Sequence, residues 1–159
     1  MSPGSQAVGL FDLGPTSSLP DGVRAFRLVL AAAQQLRTRM DARLRADDLT
    51  TQQAAVLTAV SALAAPSISD VAGAIGSTRQ NVTQLVNALV RKGMLRVDDD
   101  PADSRRRVLT TTRISHDYWE RRDADDFAAV AGWFAMLDAD ELRGLCAALE
   151  RVVGQSVSP

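Results

Sequence analysis

Thr78-Arg79-Gln80-Asn81-Val82-Thr83-Gln84-Leu85-Val86-Asn87-Ala88-Leu89-Val90-Arg91-Lys92-Gly93 carries two patterns at once. Val82, Leu85, Val86, Leu89 and Val90 fall at i, i+3, i+4, i+7 and i+8, the apolar stripe of an amphipathic helix. Opposite that stripe, at about 100° per residue, stand Gln80, Gln84, Asn87 and Arg91, with Asn81 and Thr83 on the flanks. Thr78 is placed to cap the helix and Gly93 to end it. One face is built to be held against a core. The other is rich in neutral donor-acceptor side chains, in a chain otherwise decorated with Arg and Asp.

Working outward, Ser67-Ile68-Ser69-Asp70 opens a short helix through Ile75, closed by Gly76. Before it, Thr50-Thr51-Gln52-Gln53 has the Thr-x-x-Gln form of a capping box and starts a helix to about Ala64, broken by Pro66. Earlier still, Val23, Phe26, Leu30, Ala33, Leu36, Met40 and Leu44 recur every three or four residues, predicting a long helix over 21–47. After Gly93, Leu95–Val97 and Val108–Thr112 read as strands around a polar turn, 98–107. Ser115–Leu137 and Asp140–Val153 read as two final helices, and the Pro-, Gly- and Ser-rich segment 1–20 as a flexible arm. Helix, turn, helix and a hairpin with a basic tip is the order of a winged helix-turn-helix.

Charge follows the same plan. The net charge of −1 conceals a neutral first block to Ser77, a net +4 over 78–113 and a net −5 from Ile114 onward. A local basic patch is what phosphate contact needs. Gln80, Gln84 and Asn87 can pair bidentately with adenine, and the Thr83 methyl can meet a thymine methyl. In the turn, Arg105, Arg106 and Arg107 suit phosphate or minor-groove contact, Arg105 foremost, with Asp103 bracing the loop. Pairing of these Arg with neighbouring Asp is the competing reading, and alternating strand directions leave room for both.

Leu49–Leu57, Ile68–Ala72 with Ile75–Thr78, Thr83 through Gly93-Met94-Leu95, Asp100–Arg105 and Leu137–Leu142 together resemble regulators of the multiple-antibiotic-resistance regulator (MarR) family. The resemblance spans about 21–155. It implies a mainly α fold with a β-hairpin wing: an intertwined dimer of six-helix subunits, with 49–113 as the DNA-binding domain and 21–48 plus 114–155 as the dimerisation region. It also implies DNA contacts from Thr78, Arg79, Gln80, Asn81, Thr83, Gln84 and Asn87 on the helix. Asp103, Arg105, Arg106 and Arg107 are the wing counterparts. The expected partners are double-stranded DNA and a second copy of the chain, with repression as the usual output. A small aromatic or phenolic effector is the further expectation, with Arg24, Arg27, His116, Tyr118 and Trp119 as pocket candidates.

Other classes fit poorly. A lone His116 and a lone Cys146, thirty positions apart, give no catalytic pair, no disulfide and no metal site, so neither enzyme nor cofactor is expected. Cys146 lies among Leu142, Leu145 and Leu149 and reads as a small buried hydrophobe, while Asp125-Asp126 reads as a solvated pair. No apolar run of about 20 residues spans a membrane and no secretory leader is legible, so the expected compartment is the cytoplasm. A winged helix that uses the same faces on a protein partner remains the alternative, separable by salt dependence.

Overall fold

A computed structural model describes residues 19–155, and the proposed N-terminal arm falls almost wholly outside that range. The described residues form six α-helices and one two-stranded antiparallel sheet. In chain order these are α1 (Asp21–Leu44), a 3-10 turn (Arg45–Asp47), α2 (Thr51–Leu63), α3 (Ile68–Ala74), α4 (Arg79–Arg91), β1 (Leu95–Asp100), β2 (Asp103–Thr111), α5 (Arg113–Trp133) and α6 (Ala139–Gln155). They fall into two compact units, divided between Thr111 and Thr112. Among the described residues no single helix is long and apolar enough to cross a membrane.

In the first unit the helix starts are fixed by side chains. The Thr50 hydroxyl accepts from the Gln53 N–H while the Gln53 amide oxygen accepts from the Thr50 N–H, each at 3.2 Å. Ser67 and Asp70 form the same reciprocal box at the head of α3. Each box satisfies donors that a helix end leaves open. The long first helix stops at Leu44, three residues short of the expected Asp47. Asp48 adopts a left-handed conformation with φ 55°, and the Leu49 N–H turns back to the Leu44 carbonyl at 3.2 Å.

Leu44, Leu57, Val71, Val82, Val86, Leu89 and Leu109 are essentially fully buried, so α2, α3, α4 and the hairpin enclose one core. Leu89 and Val86 come from the predicted stripe of α4, while Val90, from the same stripe, lies at its exposed rim. The Leu109 N–H donates to the Pro66 carbonyl at 2.8 Å, stitching β2 to the loop between α2 and α3.

The strands are longer than polarity suggested. Asp98, Asp99 and Asp100 belong to β1, and 103–107 to β2. Charged residues extend the ladder because they neutralise one another across or along it: Asp99 stands opposite Arg107 at 3.4 Å, and Asp98 holds Arg96 at 2.8 Å. The connection shrinks to Pro101-Ala102, beside an irregularity between Asp99 and Asp100.

In the second unit α5 begins at Arg113, two residues earlier than expected, because Thr112 takes the capping position and accepts from Ser115. It ends at Trp133, not Leu137, as Phe134 and Leu137 close tighter turns. Asp138 accepts from the Asp140 and Glu141 N–H groups at 2.9 Å each and so caps α6.

Two sequence readings change here. Cys146 is exposed on α6, not the buried hydrophobe that its neighbours Leu142, Leu145 and Leu149 suggested. Asp126 is buried and accepts two bonds from Arg122 at 3.2 Å, so only Asp125 of that pair is solvated.

Candidate nucleic-acid interface

α4 is held at both ends and offers its middle. At its start the Thr78 hydroxyl accepts from the Asn81 N–H at 3.1 Å. The Asn81 amide then donates to the Ser77 hydroxyl at 2.9 Å, and the Thr83 hydroxyl to the Arg79 carbonyl at 2.8 Å. Asn81 and Thr83 are thereby committed to local structure, which leaves Thr83 its methyl group for outside contact.

At the far end Lys92 donates to the Asp48 carbonyl and to the Gln53 amide oxygen, and pairs with the Asp48 carboxylate at 3.2 Å. This lysine pins the helix C-terminus to the start of α2. Nothing in the spacing of Lys92 and Asp48 forecast it.

Between these anchors Arg79, Gln80, Gln84, Asn87 and Arg91 are exposed, with no side-chain hydrogen-bond or ion-pair partner among the described residues. Exposed Gln and Asn side chains with every donor and acceptor open can be satisfied equally by water or by base edges. What distinguishes this face is its setting, on a helix whose opposite side is locked into the core by Val82, Val86 and Leu89.

The eight basic residues of 78–113 divide by partner. Lys92, Arg96, Arg106, Arg107 and Arg113 each lie within ion-pair distance of an Asp. Arg79, Arg91 and Arg105 have no acidic partner among the described residues. On the hairpin, therefore, Arg105 is the arginine without an acidic partner among the described residues. Its own backbone N–H donates to the Asp103 carboxylate at 3.0 Å, which ties down the start of β2. Asp100 does the same for the tip, accepting from the Ala102 N–H at 2.8 Å.

Arg106 is engaged twice, with Asp70 at 2.9 Å and Asp100 at 3.2 Å. The Ser67 backbone and hydroxyl, then Arg106, hold the Asp70 carboxyl below its ordinary range. Arg96, more than any other neighbour, does so for Asp98.

The effector candidates stand in two groups. In the first unit, Arg24 and Arg27 are half-buried on α1, and the Arg24 Nε is buried without a hydrogen-bond partner. In the second unit, on α5, His116 is exposed and Tyr118 buried, and Tyr118 meets Trp119 edge-on at 4.9 Å between ring centres. The Arg122 guanidinium lies 5.5 Å from the Tyr118 ring centre, a contact the sequence reading missed.

Residues 47–106 match the model of the MarR family. A curated relative, the transcriptional activatory protein BadR of Rhodopseudomonas palustris, is 37% identical over 98 residues. That match covers 60% of this chain and 55% of the relative, so it spans about half of that protein's length. Among solved structures, BpsR of Bordetella bronchiseptica, described for regulation of its DNA binding by 6-hydroxynicotinic acid, superposes with a TM-score of 0.74 at 24% identity. The match covers 92% of this chain and all of that one. MepR of S. aureus, solved bound to DNA, gives a TM-score of 0.71 at 21% identity over 80% of this chain and 95% of that one. The two solved structures share the fold of this chain.

Proposed function

We propose that this chain, whose residues 47–106 match the model of the MarR family, is a transcriptional regulator that binds a pseudo-palindromic operator as a homodimer and acts as a repressor that a small aromatic acid releases. In this reading α4 enters the major groove, where Gln80, Gln84 and Asn87 read base edges, and Arg79 and Arg105 meet the backbone or minor groove. The observation that carries it is the open polar face of α4 set on an apolar one buried at Val82, Val86 and Leu89. Two such helices, related by a two-fold axis, would read half-sites one helical turn apart.

Support for the dimer comes from apolar surface that one chain leaves in water. Phe26 is 64% exposed on α1, and Val152 and Val153 are 65% and 64% exposed on α6. Soluble monomers rarely leave that much apolar area open. Support for an effector comes from the unpartnered Arg24 Nε, the Tyr118–Trp119 pair and the behaviour described for BpsR. Repression follows by occlusion wherever the operator overlaps a promoter, whereas BadR is named as an activator. The proposed workplace is the cytoplasm, where the DNA is.

The test is binding to the DNA upstream of this protein's own gene at two salt concentrations, against a scrambled duplex of equal length. Selective binding that weakens steeply with salt supports the reading. Absence of binding at low salt overturns it. Phenolic and heteroaromatic acids added to the complex, followed by tryptophan emission and DNA release, test the effector, and silence across that set removes it.

A further inference from the structure

We propose that Arg106 is a positioning residue: it clamps the wing to α3 and leaves DNA contact on the hairpin to Arg105. The inference rests on the DNA-binding reading above.

A two-stranded hairpin is marginally stable alone, and this one has a register irregularity close to its tip. Something must set the direction in which the tip points. The Arg106 guanidinium does so by spanning two elements, with Nη2 on Asp70 of α3 at 2.9 Å and Nη1 on Asp100 of β1 at 3.2 Å.

Both carboxylates are themselves fixed. Asp70 accepts from the Ser67 N–H and hydroxyl, each at 2.8 Å, as part of the α3 capping box. The Asp100 side chain is only 13% exposed, and its other oxygen holds the Ala102 N–H. A continuous chain of charge-assisted bonds therefore runs from the α3 cap to the hairpin tip.

Charge excludes the competing role. One guanidinium between two carboxylates leaves a net charge of −1 on the triad, which repels phosphate. For Arg106 to reach DNA it must abandon both acids and expose them to the same backbone. Arg105, one residue earlier, faces the other side of the strand and has no acid to leave.

The two roles predict opposite signs for one substitution. If Arg106 bound DNA, Asp70→Asn would free it and tighten binding. If Arg106 positions the wing, Asp70→Asn loosens the tip and weakens binding. Asn at this position still offers an oxygen to the Ser67 N–H, so the α3 cap persists.

Operator affinity is measured for Asp70→Asn, Arg106→Ala and the double variant. In parallel, a fluorophore at Ala102→Cys, on a Cys146→Ser background, reports tip mobility by anisotropy in the absence of DNA. Each single variant is expected to weaken binding about 5- to 30-fold, with the double no weaker than the worse single and the tip more mobile in all three. Arg106→Lys, which reaches one carboxylate at a time, should recover part of the rigidity.

Tighter binding by Asp70→Asn, or unchanged tip anisotropy in Arg106→Ala, overturns the proposal. Should Asp70→Asn fail to fold, the anisotropy of Arg106→Ala decides, since that variant leaves the capping box intact. The anisotropy needs no DNA, so failure of the clamp and failure of the DNA-binding reading give different results.

Discussion

Asp41 and Thr51 are joined twice: one carboxylate oxygen accepts the Thr51 backbone N–H at 2.6 Å and the Thr51 hydroxyl at 2.7 Å. The last turn of α1 is thus bonded to the first turn of α2, where the helix dipole favours an anion. Thr51, then Arg37 and Arg45, hold the Asp41 carboxyl below its ordinary value of 3.8 against a smaller opposing effect of burial.

Asp41→Ala is therefore expected to cost about 1–2 kcal/mol, below the full value of two hydrogen bonds to a charged group because solvent screens this half-buried carboxylate, with Asp41→Asn milder. The folded pKa lies below the unfolded one, so the ionised carboxylate contributes stability in full above the unfolded value, and that stability is lost as pH falls through the folded pKa. Urea unfolding should show the gap between wild type and Asp41→Ala at full size near about pH 6 and shrinking below the ordinary value of 3.8. A gap that does not change with pH would mean that packing, not the charge, makes the difference.

Gln84→Ala and Arg105→Ala should fail in different ways. Gln84 is exposed and open on α4, so its loss should narrow the difference between operator and scrambled DNA by about 1–3 kcal/mol while leaving the salt slope alone. Loss of the unpaired Arg105 should weaken binding to both duplexes alike. With two copies per dimer it should make the slope of log K against log salt shallower by about 2. Binding isotherms at several salt concentrations separate the two, and a Gln84→Ala protein with undiminished selectivity would remove that residue from base reading.

The first unit was legible because its signals are local. Capping boxes at Thr50 and Ser67 and the stripe from Val82 to Val90 each lie within one turn or one helix, so spacing alone carries them. Three adjacent Arg look alike in sequence, so spacing gives no sign of the double ion pair of Arg106. Its partner Asp70 lies 36 positions earlier, a distance that no periodicity connects. Lys92 with Asp48 and Asp41 with Thr51 were invisible for the same reason, and the buried Asp126 because its neighbour Asp125 has the same chemistry and opposite exposure. Long-range polar pairs need the fold before they can be read.

Lys92→Met should separate anchoring from charge. Lys92 reaches the Asp48 carbonyl and carboxylate and the Gln53 amide, with its side chain only 26% exposed. Methionine preserves the aliphatic stem but forfeits these bonds; the exposed Asp48 carboxylate returns to water and the Gln53 oxygen keeps the Thr50 N–H, so the expected loss is about 0.5–1.5 kcal/mol by thermal or urea unfolding. Gln84 and Asn87 lie on a different part of α4, so operator selectivity should survive at temperatures where the variant is folded. Loss of selectivity without loss of stability would make Lys92 part of the reading surface.

Phe26 tests the assembly. It is 64% exposed on α1, and Val23, Val29 and Leu30 nearby are 41%, 47% and 44% exposed, so the N-terminal half of α1 finds little apolar cover among the described residues, whereas Leu44 at its end is fully buried. A two-fold interface uses every residue twice. If each Phe26 contributes about 1.5–3 kcal/mol by burial, Phe26→Asp removes about 3–6 kcal/mol per dimer before the added cost of confronting carboxylates. That corresponds to a dissociation constant raised at least about 100-fold. Light scattering at micromolar concentration should give a dimer mass for wild type and a monomer mass for Phe26→Asp, with helical content retained because the residue is not part of the core around Leu57 and Leu89. Operator affinity should fall with it, since a monomer engages one half-site. A Phe26→Asp protein that stays dimeric would move the interface away from this face of α1, and a wild type that is monomeric would remove the dimer from the proposed function.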